Sequence, residues 1–259
     1  METVIPKTSA VLFSLLRADF TTQWRNRRAV ILTLIVPVIV LMTWKGMAAA
    51  NGPFILANSI TIGLFASGIM GYANAIARDR DKGIFQRLRV APVASWVIMA
   101  SRLLVQVAMI LIVTTAVFII GYNYDGIILS PAAYVLTYLT ALICGCVSLS
   151  LGQMIVGFIK NPETVNSTTR LVYLVLIMAG MLGELYHQID KLNNKHDKLT
   201  EMVYNAVQWS PYGAVKNILS VGMEPSRWDA GTTTALLLTV AYTVVFVTLG
   251  IKWFKWNTK

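Results

Sequence analysis

Acidic residues are scarce in this chain. Twelve Asp and Glu stand against 22 Lys and Arg, and charged residues of all kinds make up only 13%. Soluble domains carry about 25% charged residues. With 56% hydrophobic residues and a mean hydropathy of +0.63, the chain holds more apolar surface than a water-facing fold could hide, whereas lipid tails solvate such surface directly. The two cysteines, Cys144 and Cys146, lie one residue apart inside one apolar run. They are too close for a structural disulfide. No Gly-x-x-x-x-Gly-Lys-Ser/Thr loop is present, so ATP is not bound by that route. Ser-His-Asp, His-Glu-x-x-His and paired-carboxylate patterns are missing as well, which argues against an enzyme. The N-terminus lacks a clean apolar signal segment, since Glu2 and Lys7 open a mixed stretch. Insertion is therefore expected through the first membrane helix itself.

What is present is a series of apolar runs. The sequence predicts an all-α integral membrane protein, one transmembrane domain over 1–259, with six membrane helices. The first begins at Ala29 and carries Pro37, with Lys45 near its far end. The second runs from about Phe54 to Ala77 and the third from about Val97 to Tyr122. The fourth starts at Ser130-Pro131, a cap followed by proline in the first turn, and reaches about Ile159. The fifth starts near Asn161-Pro162-Glu163 and reaches about Leu185, and the sixth spans about Thr233 to Phe254. Ahead of them, Leu12, Leu16, Phe20 and Trp24 recur every fourth residue over 8–28. That pattern predicts an amphipathic helix at the membrane surface, ending in Arg25, Arg27 and Arg28.

The basic residues are distributed unevenly. With a cytoplasmic N-terminus, 16 of the 22 Lys and Arg fall on inner segments and 6 on outer ones. The positive-inside rule then places both termini in the cytoplasm of a cell inner or plasma membrane. The net charge of +10 is mostly this asymmetry, and no nucleic-acid partner is needed to explain it.

Two connections are long. The inner one, 78–96, packs Arg78, Arg80, Lys82, Arg87 and Arg89 into twelve positions. Ile84, Phe85 and Leu88 share one face of a short helix that Pro92 would stop. Read by itself, this is a basic loop whose apolar residues touch the bilayer or a partner. The spelling Asp81-x-Gly83, then Arg87-Leu88, then Pro92, resembles the signature loop of ABC-transporter permeases of the drug- and polysaccharide-export class. That family reads Arg-Glu-x-Gly-Thr-x-Glu-x-Leu-x-x-Thr-Pro, followed by a Gly-Lys pair. Here Asp81 replaces Glu, Ile84 replaces Thr, Gln86 replaces the second Glu, Ala91 replaces Thr, and Ser101-Arg102 stands for Gly-Lys. The surface helix, six spans and a long outer loop extend the resemblance over the whole chain.

The resemblance implies that this loop is a coupling helix docking into a separate ATPase subunit. Ile84, Phe85 and Leu88 would enter its groove. Arg80, Arg87 and Arg89 would meet an acidic rim, and Gly83 would permit the turn. The surface helix, with Phe20 and Trp24, would be a second contact, and the Lys160–Arg170 turn a third. Two ATPase subunits would carry ATP and Mg, with no cofactor on this chain. A second copy or a paralogous permease would complete the pore. The cargo would be a drug, peptide, lipid or glycoconjugate, the loop being closer in spelling to drug, peptide or lipid exporters. An ion-coupled secondary transporter would need a mid-span carboxylate, which the sequence lacks. A membrane assembly factor stays open beside it.

The outer connection, 186–231, predicts one helix over His187–Ala206, with an apolar stripe of Leu192, Leu199, Met202 and Val203. A second is predicted from Ser210-Pro211 to about Leu219. In the resembling family such helices re-enter the outer leaflet. His187, Asp190, Asp197 and Glu201 fit a solvated polar face better than a metal site. Polar residues within spans are costly unless they face protein or water. Ser67 and Asn74 on the second span, Gln153 on the fourth, and Arg170, Tyr173, Met178 and Met181 on the fifth are the candidates for a substrate path. Hydrogen bonding between helices is the plainer reading of the polar ones.

Overall fold

A long apolar segment in lipid has one economical form, the helix, because every peptide group is then bonded within its own segment. The computed structural model describes residues 8–44, 48–84, 86, 95–192 and 198–254, and among them it contains helices and no strand. In chain order these are α1 (Thr8–Arg25), α2 (Arg27–Thr43), α3 (Ala48–Phe65), a π-helical segment (Ala66–Tyr72) and α4 (Ala73–Asp81). Then come α5 (Ser95–Asp125), α6 (Pro131–Phe158), α7 (Pro162–Leu192), α8 (Lys198–Trp209), α9 (Pro211–Met223) and α10 (Ala230–Trp253).

Among the described residues, five stretches are long and apolar enough to cross a membrane: Asn51–Asp81, Ala100–Asp125, Pro131–Phe158, Pro162–Gly183 and Ala230–Trp253. The expected first span falls on α2, which has 17 residues. That length is about 26 Å, a few ångströms short of the hydrocarbon core.

The stretch Asn51–Asp81 forms the centre: 89% of its apolar part is buried, against 17% for Ala230–Trp253 at the periphery. Its π-helical turns lie against α6 with backbone touching backbone. A Cβ added at Gly152 would collide with the Gly68 carbonyl oxygen, and one at Gly68 would collide with Ser148. Further along, a Cβ at Gly157 would lie 2.6 Å from the Gly250 carbonyl oxygen, so α6 and α10 meet in the same way. Small residues at helix contacts gain dispersion energy by close approach, the main attraction available inside lipid.

Within the 186–231 connection α9 is drawn into the core. Tyr212 is 1% exposed; its hydroxyl donates to Asn58 Oδ1 at 2.6 Å and its ring lies 5.9 Å from that of Phe65. By contrast α8 turns Leu199, Met202 and Val203 outward. The predicted helix His187–Ala206 is thus divided. Its first part lies on the end of α7, which continues to Leu192, seven residues past the expected stop, and its last part lies on α8. Asp197 lies outside the described residues, as do the side chains of His187 and Asp190.

Helix starts follow local capping chemistry. Ser130 Oγ accepts from the Ala133 N–H and Ser210 Oγ from the Gly213 N–H, each with proline next in sequence. The last helix begins at Ala230 rather than Thr233 because Asp229 caps it. Its carboxylate accepts from the Thr232 N–H and hydroxyl, each at 2.7 Å. Those bonds, the backbone one first, hold the Asp229 carboxyl below the usual carboxylate range.

Candidate functional site

The inner loop leaves the bundle at Gly83, whose φ of +64° suits glycine and turns the chain out of α4. Asp81 is exposed and Ile84 half-buried. Phe85, Arg87, Leu88, Arg89 and Pro92 lie outside the residues described. The loop's anchors are fully defined, however, and sequence reasoning missed them.

Arg80 is the first anchor. It is 2% exposed, and its guanidinium donates to the carbonyls of Val156 at 3.0 Å, Ile159 at 2.6 Å and Lys160 at 2.8 Å. It also sits 5.7 Å from the centre of the Phe254 ring. The end of a helix leaves carbonyls without intrahelical partners, and it is the negative end of the dipole. A planar, permanently charged fork with several donors suits that end well. Arg80 is therefore turned inward and occupied by α6. This corrects the expectation that it meets an acidic rim on a partner subunit.

The second anchor is an ion pair. Arg102 Nη2 lies 2.7 Å from Asp79 Oδ2, with both side chains largely buried. It ties the last turns of α4 to α5, across the loop that separates them in sequence. One residue earlier, Ser101 Oγ donates to Asp19 Oδ2 at 2.6 Å and so holds α1 against the same part of α5. Asp19, which interrupts the apolar stripe of α1, thereby has its partner. On the outward side of α1, Phe20 and Trp24 stack at 6.1 Å and remain 36% and 49% exposed, available to a partner or to lipid.

The seven path candidates do not form one lining. Ser67 Oγ donates to Gln106 Oε1 at 3.2 Å, and Gln153 Oε1 accepts from the Tyr72 hydroxyl at 2.9 Å. Asn74 Nδ2 donates to the Met70 carbonyl at 2.8 Å and to Thr169 Oγ1 at 3.3 Å. These three join helices. Tyr173 is buried and Met181 half-buried. Arg170 and Met178 point outward from α7, on a face shared with Leu171, Leu174, Val175 and Leu182.

Between α1, α4 and α5, next to the anchors, lies a cavity of about 650 Å³ lined mainly by polar and charged residues. Asp19, Asp79 and Arg102 contribute to its wall, as do Gln23, Arg27, Arg78 and Gln106. The sequence signal for it was available: the basic residues at both ends of the surface helix junction and of the inner loop, which reasoning from topology alone assigned to membrane orientation.

Residues 10–184 match the model of the ABC-2 type transporter family. The chain belongs to that family. It is also 21% identical over 239 residues to YvfS of Bacillus subtilis (strain 168), named as a transport permease, with 90% of this chain and 92% of YvfS covered. As an ABC-2 type permease it is a multi-pass membrane subunit of a transporter, of a family that generally works with an ABC ATPase. The matched region contains the inner loop and both of its anchors.

Proposed function

We propose that this chain is the membrane subunit of an ATP-driven exporter, energised by a separate ATPase that docks on the inner loop and on the outward face of α1. The observation that carries the reading is how the loop is held. Both of its flanks are tied by buried polar contacts, through Arg80 to α6 and through Asp79–Arg102 to α5. A push on such a loop moves three helices instead of dissipating in a flexible connector. Ile84, Phe85 and Leu88 supply the apolar face for the partner's groove, with Arg87 and Arg89 beside it. Phe20 and Trp24 form a second contact.

On this reading α2 is the sixth span, both termini are cytoplasmic, and two copies, or this chain and a paralogue, enclose the path above two ATPase subunits that hold ATP and Mg. Arg170 supports the pairing. A lone arginine on an otherwise apolar exposed face is costly in lipid. A second subunit or an aqueous path against α7 removes that cost. The cargo class is a drug, peptide or lipid moved outward.

The test is copurification from detergent-solubilised native membranes with an ATPase assay on the eluate. An ATPase at near-stoichiometric abundance, lost in Phe85→Arg and Leu88→Asp variants that still fold, supports the reading. Retention of the ATPase by both variants overturns the docking assignment.

A further inference from the structure

The cavity between α1, α4 and α5 has a chemistry that the coupling role does not use. Its two carboxylates are occupied, Asp19 by Ser101 and Asp79 by Arg102. Arg25, Arg27, Arg78 and Lys82 also line it, and none of these four pairs with a carboxylate among the described residues. The wall thus carries unmatched positive charge.

A further observation points to an anion. The junction between α1 and α2, residues 25–27, lies on the cavity wall, and no side chain caps the first turn of α2. The free N–H groups of a 17-residue helix therefore begin at the cavity. Arg27 at that positive helix end is unfavourable by itself; an anion between them reverses the sign of the interaction. Cations and uncapped N–H groups together fit a phosphate group. The side chains of Leu103 and Leu104 on α5 are exposed and apolar, as a surface beside acyl chains would be.

We propose that this cavity binds the phosphate headgroup of an anionic inner-leaflet lipid. The inner-leaflet location rests on the orientation proposed above. The binding itself does not, and it can be read from protein in micelles, without an ATPase.

The full chain in dodecyl maltoside is titrated with phosphatidylglycerol and, separately, with phosphatidylcholine, and bound lipid is counted by native mass spectrometry. Phosphatidylglycerol is expected to bind preferentially. The R27Q/R78Q variant should weaken it about twenty-fivefold, at roughly fivefold per cation, while R27K/R78K and the outer-side R227Q leave it near the original value. Ala75→Phe, which narrows the cavity without changing charge, should weaken it too and serves if the double variant does not fold. Equal binding of both lipids, or an affinity unmoved by R27Q/R78Q and Ala75→Phe, overturns the proposal. Inorganic phosphate is the final arm. Displacement of the lipid only by a large excess assigns the site to a lipid headgroup, whereas displacement at equal concentration assigns it to a free anion and overturns the lipid assignment.

Discussion

Asp79 and Arg102 are 23 positions apart in sequence and 2.7 Å apart in space, and the inner loop lies between them. Their ion pair closes that loop at its base. Asp79 stands one residue before Arg80, so α4 presents two neighbouring charged side chains to two different helices, one to α5 and one to α6.

The ion pair should be energetically coupled. Asp79→Ala, Arg102→Ala and the double variant, compared by thermal unfolding in micelles, should give a coupling energy of about 1–3 kcal/mol. Each single variant leaves the other, largely buried charge unmatched, so each should cost more than the double variant implies. A coupling energy near zero would show the pair to be incidental.

Arg80 should matter for the end of α6 more than for the loop surface. Arg80→Leu strands three carbonyls and should cost about 3 kcal/mol or more. Arg80→Lys should recover only part of this, since a compact ammonium cannot span the three acceptors. Trypsin cleavage after Lys160 reports the local effect: it should be slow in the native chain, faster in Arg80→Lys and fastest in Arg80→Leu. Equal cleavage in all three would refute the capping role.

Gly152 and Gly126 separate two reasons for a glycine. Gly152→Val drives a side chain into the Gly68 backbone, which cannot yield, and should abolish recovery of folded protein. Gly126 has nothing within 4 Å of an added Cβ but a φ of +64°. Gly126→Ala should therefore cost only about 1–2 kcal/mol, the conformational penalty of a left-handed residue. Similar yields for the two variants would show the α6 contact to be looser than described.

Asp229 gives a prediction with a definite sign. Its folded carboxyl titrates below the unfolded one because Thr232 donates to the ionised form. Its contribution is fully present above the unfolded value of about 3.9 and is lost as pH falls through the lower folded value. The melting temperature of Asp229→Ala should lie below that of the native chain at pH 7, and the gap should shrink toward pH 3 and below. A gap that widens on acidification would contradict the hydrogen bonds described.

What the sequence made legible was local. Ser130-Pro131 and Ser210-Pro211 announced helix starts correctly, because a cap bonds to an N–H three residues on and needs nothing distant. The start of α10 was placed late because Asp229 was passed over in favour of the apolar run. The end of α7 was placed early because a helix leaving lipid need not stop where its hydrophobicity does. Arg80 was misread for a different reason. Its acceptors lie 76 to 80 residues away, and nothing in an Arg-Asp-Arg-Asp string tells an inward arginine from an outward one. The Tyr212–Asn58 bond, across 154 residues, was equally invisible.

Where Gly68 faces Gly152, only the Ser148 hydroxyl and the Ala73 methyl adjoin the contact between the two helices. An interface filled by leucines can absorb a displacement by changing rotamers. Two bare backbones can only slide along one another or come apart. The middle of the molecule therefore acts as a hard bearing, and movement delivered at its inner edge must reach the far edge as rotation of whole helices about that point.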